Sequence, residues 1–207
     1  MTRAPKENQL SVVIAPRREL CLDFANTLAW RGSEPDESLH NFADLRAWCE
    51  SNGLPSDAFD QHNRGSPKQR EQVAAIFRRA IELRETVYRL FYAIAQRRPV
   101  EDRDIAALNI ALQRAPARVV LAHANQRLGW CIEQDGRSAG ALLAPVLWSA
   151  ADLLVGPDTA RVRHCSNDKC GWLFFDESKN RSRRWCSMQA CGNRAKARRH
   201  YLRNKAP

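Results

Sequence analysis

From about residue 69 to residue 97, apolar side chains recur at three- and four-residue steps: Val73, Phe77, Ala80, Ile81, Val87, Tyr88, Phe91, Ile94 and Ala95. That spacing lines one face of a helix, and a helix of this length spans roughly 40 Å, enough to form the spine of a domain. Residues 19–30 place Leu20, Phe24, Thr27 and Leu28 on one side and predict a shorter amphipathic helix ending near Gly32. Asn41 supplies an N-cap for a helix over 42–52, which Gly53 and Pro55 stop. Residues 56–67 are polar, include Gly65 and Pro67, and read as a loop, while 102–113 form a further helix that ends near Pro116. The period then changes to two. Residues 118–122 and 128–133 predict a β-hairpin, Asp135-Gly136 a second turn, and 139–155 an apolar helix with Pro145 near its first turn or at a kink. Gly156-Pro157-Asp158 marks a boundary. The expected architecture is a mainly α domain with a small β-hairpin (α+β) over residues 1–158, followed by a separate module over 159–207.

Composition narrows the class. Of 207 residues, 44% are hydrophobic and 27% charged, ordinary globular usage that excludes wholesale disorder. The longest mostly apolar stretch, 139–148, is about half of a bilayer span, and the apolar run 11–15 is too short for a signal-peptide core. A cytoplasmic protein without a membrane segment is expected. The formal net charge of +10 is unevenly placed: residues 161–207 hold 13 of the 33 Lys and Arg but only three acids, Asp168, Asp176 and Glu177. The first 160 residues are therefore neutral, and the basic end is suited to an anionic surface, nucleic acid first among them.

Seven cysteines fall into two groups. Cys21, Cys49 and Cys131 lie scattered among apolar neighbours and read as buried free thiols. Cys165, Cys170, Cys186 and Cys191 form two Cys-x4-Cys pairs separated by fifteen residues inside the basic segment. Two close pairs joined by a short loop are the pattern of a four-thiolate zinc site; a rubredoxin-like iron site is the competing metal. Asn167-Asp168-Lys169 supplies turn chemistry within the first pair. Residues 172–175 read as a strand, 183–185 as its returning partner in a hairpin, and Ser187 as the cap of a helix carrying Cys191 and running to about Arg203. A knuckle, a hairpin and a helix bearing the last ligand make a treble-clef-like four-cysteine finger. Four thiolates close the shell around one ion, so one structural zinc per chain is expected, contributing on the order of 10–16 kcal/mol to folding.

The helix after Cys191 is cationic on two sides: Arg194, Arg198 and Lys205 on one, Lys196, Arg199 and Arg203 on the other. Arg181, Arg183 and Arg184 extend the same surface from the hairpin. Arg is suited to bidentate contacts with phosphates and guanine edges, so these residues are the candidate nucleic-acid contacts. His164 and His200 are expected to face solvent or phosphate, and Gly192 to permit close packing beside the knuckle.

The run 186–196, following Cys165 and Cys170, closely resembles the CGNR zinc finger of bacterial proteins, named for the four residues found here at 191–194. The segments 22–27, 42–48 and 53–54 are similar to that finger's companion, the ABATE domain of stress-induced transcription regulators. Together these regions cover nearly the whole chain. The resemblance implies a zinc-containing bacterial DNA-binding regulator, with the N-terminal domain sensing a ligand or pairing two chains. A homodimer is expected, because one finger offers a small interface. A protein-interaction adaptor and an RNA-binding protein are the alternatives. The body shows no phosphate-cradling glycine loop, nucleophile elbow or metal-binding His-Glu-x-x-His, so no catalysis is expected. Asp23 and Asn26, three apart on the first helix, are candidates either to hydrogen-bond a ligand or to brace neighbouring backbone. Trp30, Trp48, Trp130 and Trp148 are expected in the core, and His40, His62 and His123 on the surface or in loops.

Overall fold

The computed structural model describes residues 10–13, 16–54, 66–124, 127–133 and 139–205. The helical spine α3, Pro67–Ala95, starts with Pro67, and the Gln69 side chain accepts from the Ser66 backbone N–H. The helix α2, Phe42–Ser51, begins at a capping box: Asn41 accepts from the Ala43 and Asp44 N–H groups, while Asp44 accepts from the Asn41 N–H. Helix α4, Asp102–Arg114, follows the spine and packs against it. The expected loop at 56–67 falls mostly on residues outside those described, as do the Asp135-Gly136 turn and His62.

Two expected helices come out shorter. The first, α1, covers only Leu20–Ala25, because residues 28 and 29 leave it to pair as strand β2, Leu28–Ala29, with β3, Asp36–Glu37. The apolar helix at 139–155 is split at Leu143 into α5, Ala139–Leu142, and α6, Ala144–Val155, with Pro145 in the first turn of α6, where its missing N–H costs nothing. The expected hairpin is present as β4, Val120–Ala124, and β5, Arg127–Glu133, and it gains a third strand, β1, Leu10–Val13, antiparallel to β5. In this order β1-β5-β4, Val120, Leu121 and Leu128 of the outer hairpin remain exposed.

The core lies where α1, α2, α3 and α6 meet, around Phe24, Leu45, Val87, Phe91 and Leu147, all fully buried. It does not stop at residue 158. Strands β6, Val162–His164, and β7, Leu173–Phe175, pair antiparallel and lie against α3, and their Val162, Leu173 and Phe175 belong to the same buried cluster. The last helix, α7, Asn193–Lys205, follows a π-helical turn at Met188–Gly192.

Candidate zinc centre and nucleic-acid interface

Strands β6 and β7 are the two arms of a hairpin whose tip is the knuckle 165–170. The Cys165 N–H donates to the Trp172 carbonyl and the Cys170 N–H to the Asn167 carbonyl, which bends the chain so that both sulfurs face one point. The expected partner of residues 172–175, the segment 183–185, does not pair with them. β6 takes that place, and 183–185 instead runs beside the knuckle, with the Ser166 N–H donating to the Arg184 carbonyl. Cys186 follows in this loop. The Ser187 hydroxyl accepts from the Ala190 N–H and starts the turn that carries Cys191 inward.

The four sulfurs of Cys165, Cys170, Cys186 and Cys191 lie within 4.8 Å of one another. Cys170 and Cys186 are 3.6 Å apart and Cys186 and Cys191 3.8 Å. Four sulfurs at zinc-bonding distance from one ion would be about 3.8 Å apart, far beyond disulfide length. The surroundings suit thiolates: the Asn167 side-chain amide donates to Cys191 Sγ at 3.3 Å, and backbone N–H groups of Asn167 and Trp172 are aimed at Cys165 and Cys170. Hydrogen bonds from the Cys170 and Cys186 thiols hold Cys165 well below the ordinary thiol range. The same bonds, made to the Cys165 thiolate, push Cys186 up and Cys170 up to about 12. Metal binding must therefore displace shared protons. The donor set fits one structural zinc with a closed shell and no position left for water or substrate. Cys21 and Cys49 differ: burial pushes both thiols up to about 12 and leaves them inert.

Besides the Ser33 hydroxyl, which donates to the Lys169 carbonyl, three contacts among the described residues fasten the knuckle to the helical body. Asn26 donates to the Leu173 carbonyl at 2.8 Å and accepts from its N–H at 3.0 Å, closing the free edge of β7 inside the core. Of the two roles open to Asn26 from sequence, the structure gives it the brace. Asp23 does not join it; that carboxylate takes Arg17, which also reaches Asn52. At the second point a Cβ on Gly32 would sit 1.9 Å from the Asp168 carbonyl oxygen, so only glycine lets the body come this close. At the third, Gly171, at φ +71, lies under Arg31, and the Tyr88 hydroxyl donates to its carbonyl at 2.9 Å. Arg31 stacks on Tyr88 and pairs with Glu85; Arg84, almost fully buried, pairs with both Glu85 and Glu37. Although burial opposes its charge, hydrogen bonds from Arg31 hold the Glu85 carboxyl below its usual range. Arg84 is the deeply buried member, so removing a carboxylate partner leaves its charge without compensation and destabilises the fold. This network is not visible as a motif, since its two halves, Arg31 with Glu37 and Arg84 with Glu85, meet through pairs 47 and 54 residues apart.

Five of the candidate cationic residues, Arg181, Arg183, Arg184, Arg194 and Arg198, line two troughs beside the knuckle that share Ser166 and Asp168 as a common wall. One, about 570 Å³, is lined by Arg163, His164, Arg181, Arg183 and Arg184. The other, about 560 Å³, is lined by Trp30, Lys169, Trp185, Arg194 and Arg198. Arg183 is partly spent on structure: it stacks on Phe174 and donates to the Trp185 and Cys186 carbonyls. Arg194 stacks on Trp30, and Arg184 on Trp185. Lys196, Arg198 and Arg203 stand exposed on α7; the Arg199 side chain lies outside the described part. His164, half-buried, lines the arginine trough and packs edge-on against Tyr92, and His200 is exposed. Gly192 meets the expected close approach, a Cβ there lying 2.7 Å from Met188 Sδ. Trp148 is a buried core residue as expected, whereas Trp48 and Trp130 are half-buried and pack against the core from its edge. Trp30 instead covers the cysteine cluster, from a backbone at φ 52 that is strained for a bulky side chain. Sequence reasoning missed Arg163, Lys169 and Trp30; the first two lay within two residues of a ligand cysteine, which was the available signal.

A helical body with a four-thiolate knuckle built into its core, bearing a basic helix, defines a zinc-finger protein. Residues 18–157 match the ABATE family, described as "Putative stress-induced transcription regulator", and residues 161–204 match the CGNR zinc finger; the chain belongs to the ABATE family and carries a C-terminal CGNR finger. A search of curated proteins finds no match.

Proposed function

We propose that the chain is a bacterial, cytoplasmic transcription regulator that grips duplex DNA with α7 and the cationic rim of its finger, and that it acts by binding rather than by catalysis. The observation that carries this reading is the exposure of α7: every described side chain from Lys196 to Asn204 is exposed. A helix polar on all sides is suited to entering a surface other than its own core, and a bare α-helix fits the major groove. The knuckle fixes its root, which sets the direction of the helix axis and presents one of its two cationic sides to the partner. No helix among the described residues is long and apolar enough to cross a membrane. An interface this small calls for two copies on one site, so a homodimer belongs to the reading. A groove of about 250 Å³ between α3, α4 and α5, with Leu83, Ile110 and Ala111 in its wall, offers the body a place for a small apolar effector; Asp23 and Asn26 lie outside it.

The test is selection from random duplexes with zinc-loaded protein, followed by titration over a salt series. Binding should weaken log-linearly with a slope of roughly −4 to −5, the value for about five phosphates. Arg198→Ala should lower affinity several-fold and flatten the slope by about 1 at unchanged zinc content. No binding at low salt would sink the proposal in favour of a protein adaptor, which the exposed Tyr201 and Leu202 would serve. Preference for RNA duplexes of equal length would replace DNA by RNA.

A further inference from the structure

The cleft at the root of α7 differs in chemistry from the rest of the cationic surface. A phosphate-gripping surface needs only charge, yet this cleft is walled by two half-buried indoles, Trp30 from the body and Trp185 from the ligand loop. Arg194 and Arg198, one helical turn apart, face it from α7. The Arg194 guanidinium already lies over the Trp30 ring, 4.7 Å from its centroid. Indoles and guanidinium planes are the platforms on which unpaired bases stack. The wall shared with the neighbouring arginine trough carries the exposed Asp168. A carboxylate there repels a phosphate but accepts hydrogen bonds from the amino group of a base, as Asp does from cytosine N4. Across that wall Arg163, Arg181 and Arg184 stand ready for the flanking phosphates.

We infer that this cleft receives one unpaired, amino-bearing base of a DNA strand adjoining the duplex held by α7, with its neighbouring phosphates passing over the knuckle into the arginine trough. The inference rests on the DNA-binding reading above. It makes the preferred ligand a duplex with a single-stranded extension or a locally opened end, not an uninterrupted helix.

The test uses zinc-loaded full chain and three fluorescently labelled ligands of one sequence: a blunt duplex, the same duplex with a three-deoxycytidine overhang, and the same overhang made abasic. The overhang should bind about tenfold tighter than the blunt duplex, the gain expected for one stacked base. The abasic overhang should fall back to the blunt value, since it keeps the phosphates and loses the base. Trp185→Leu should bring the overhang-to-blunt ratio close to one. Equal affinity for the base-bearing and abasic overhangs would overturn the inference while leaving duplex binding intact. Failure of all three ligands to bind at low salt would overturn the DNA-binding reading, and the base site with it.

Discussion

Asp176 is one of three acids in the basic segment and is fully buried. In composition it counts only as a charge. In the structure one carboxylate oxygen accepts from the Ser178 hydroxyl and N–H, and the other from the Arg183 N–H at 3.0 Å. These bonds clamp the loop that delivers Cys186. Burial works against the charge, but the Ser178 and Arg183 donors, with Arg163 nearby, outweigh it and hold the carboxyl below its usual range. Its folded pKa then lies below the unfolded one, so the ionised group stabilises the fold at every pH above about 3.8. That contribution is lost as the pH falls toward the folded value. Asp176→Asn turns one acceptor into a donor facing donors and should cost about 1–3 kcal/mol at neutral pH. Thermal melts should show the variant roughly 3–10 °C lower at pH 7, with the gap narrowing between pH 4 and pH 3. Melts of both proteins under chelator over the same pH range separate this narrowing from acid loss of zinc, which frees the clamped loop in either protein; a gap independent of pH would show that the charge is not what matters.

At the scale of elements, what the sequence reveals depends on where the partner lies. Helices α2, α3 and α4 were legible because caps and three- to four-residue periodicity are local. The zinc ligands were legible for the same reason: each pair closes its own turn. Partners chosen across the chain were not. Nothing in the run Ser11-Val12-Val13 says that it pairs with Cys131 and its neighbours, and the strand at 173–175 could not announce that it prefers 162–164 to 183–185, because both candidates lie nearby in sequence and only packing on α3 decides. Likewise Trp30 reads as an ordinary core aromatic until the left-handed backbone turns it toward the cysteines. Helix α7 was legible as a basic helix, and its projection from the body gives it a separable role. Ending the chain after Arg198 should leave zinc content unchanged and shift the melting temperature by no more than a degree or two, since the described side chains it removes, 200–204, are exposed, while lowering duplex affinity at least tenfold. A large stability loss would mean that the end of α7 packs against another surface.

For the whole molecule, the shared core alters what zinc removal does. Two sequence modules suggest two folding units, in which losing the metal through Cys170→Ser unfolds the finger and spares the body. Yet Val162, Leu173 and Phe175 are buried among body residues, Asn26 holds the edge of β7, and Gly32 abuts the knuckle backbone. The hairpin therefore has two supports, of which zinc is one. Residues 186–205 have few others: α7 packs chiefly on the turn that carries Cys191. Chelation should release α7 and the ligand loop while β6 and β7 stay with the helices, at a lower melting temperature for the whole. Hydrogen exchange followed before and after chelation separates the cases. Amides of 187–205 should lose protection, and those of Leu173 and Phe175 should keep most of theirs. Simultaneous loss in both segments would mean that the metal alone holds the hairpin. On the expected outcome, the body presents a preformed half-site, and zinc occupancy decides whether the cationic helix is aimed or adrift.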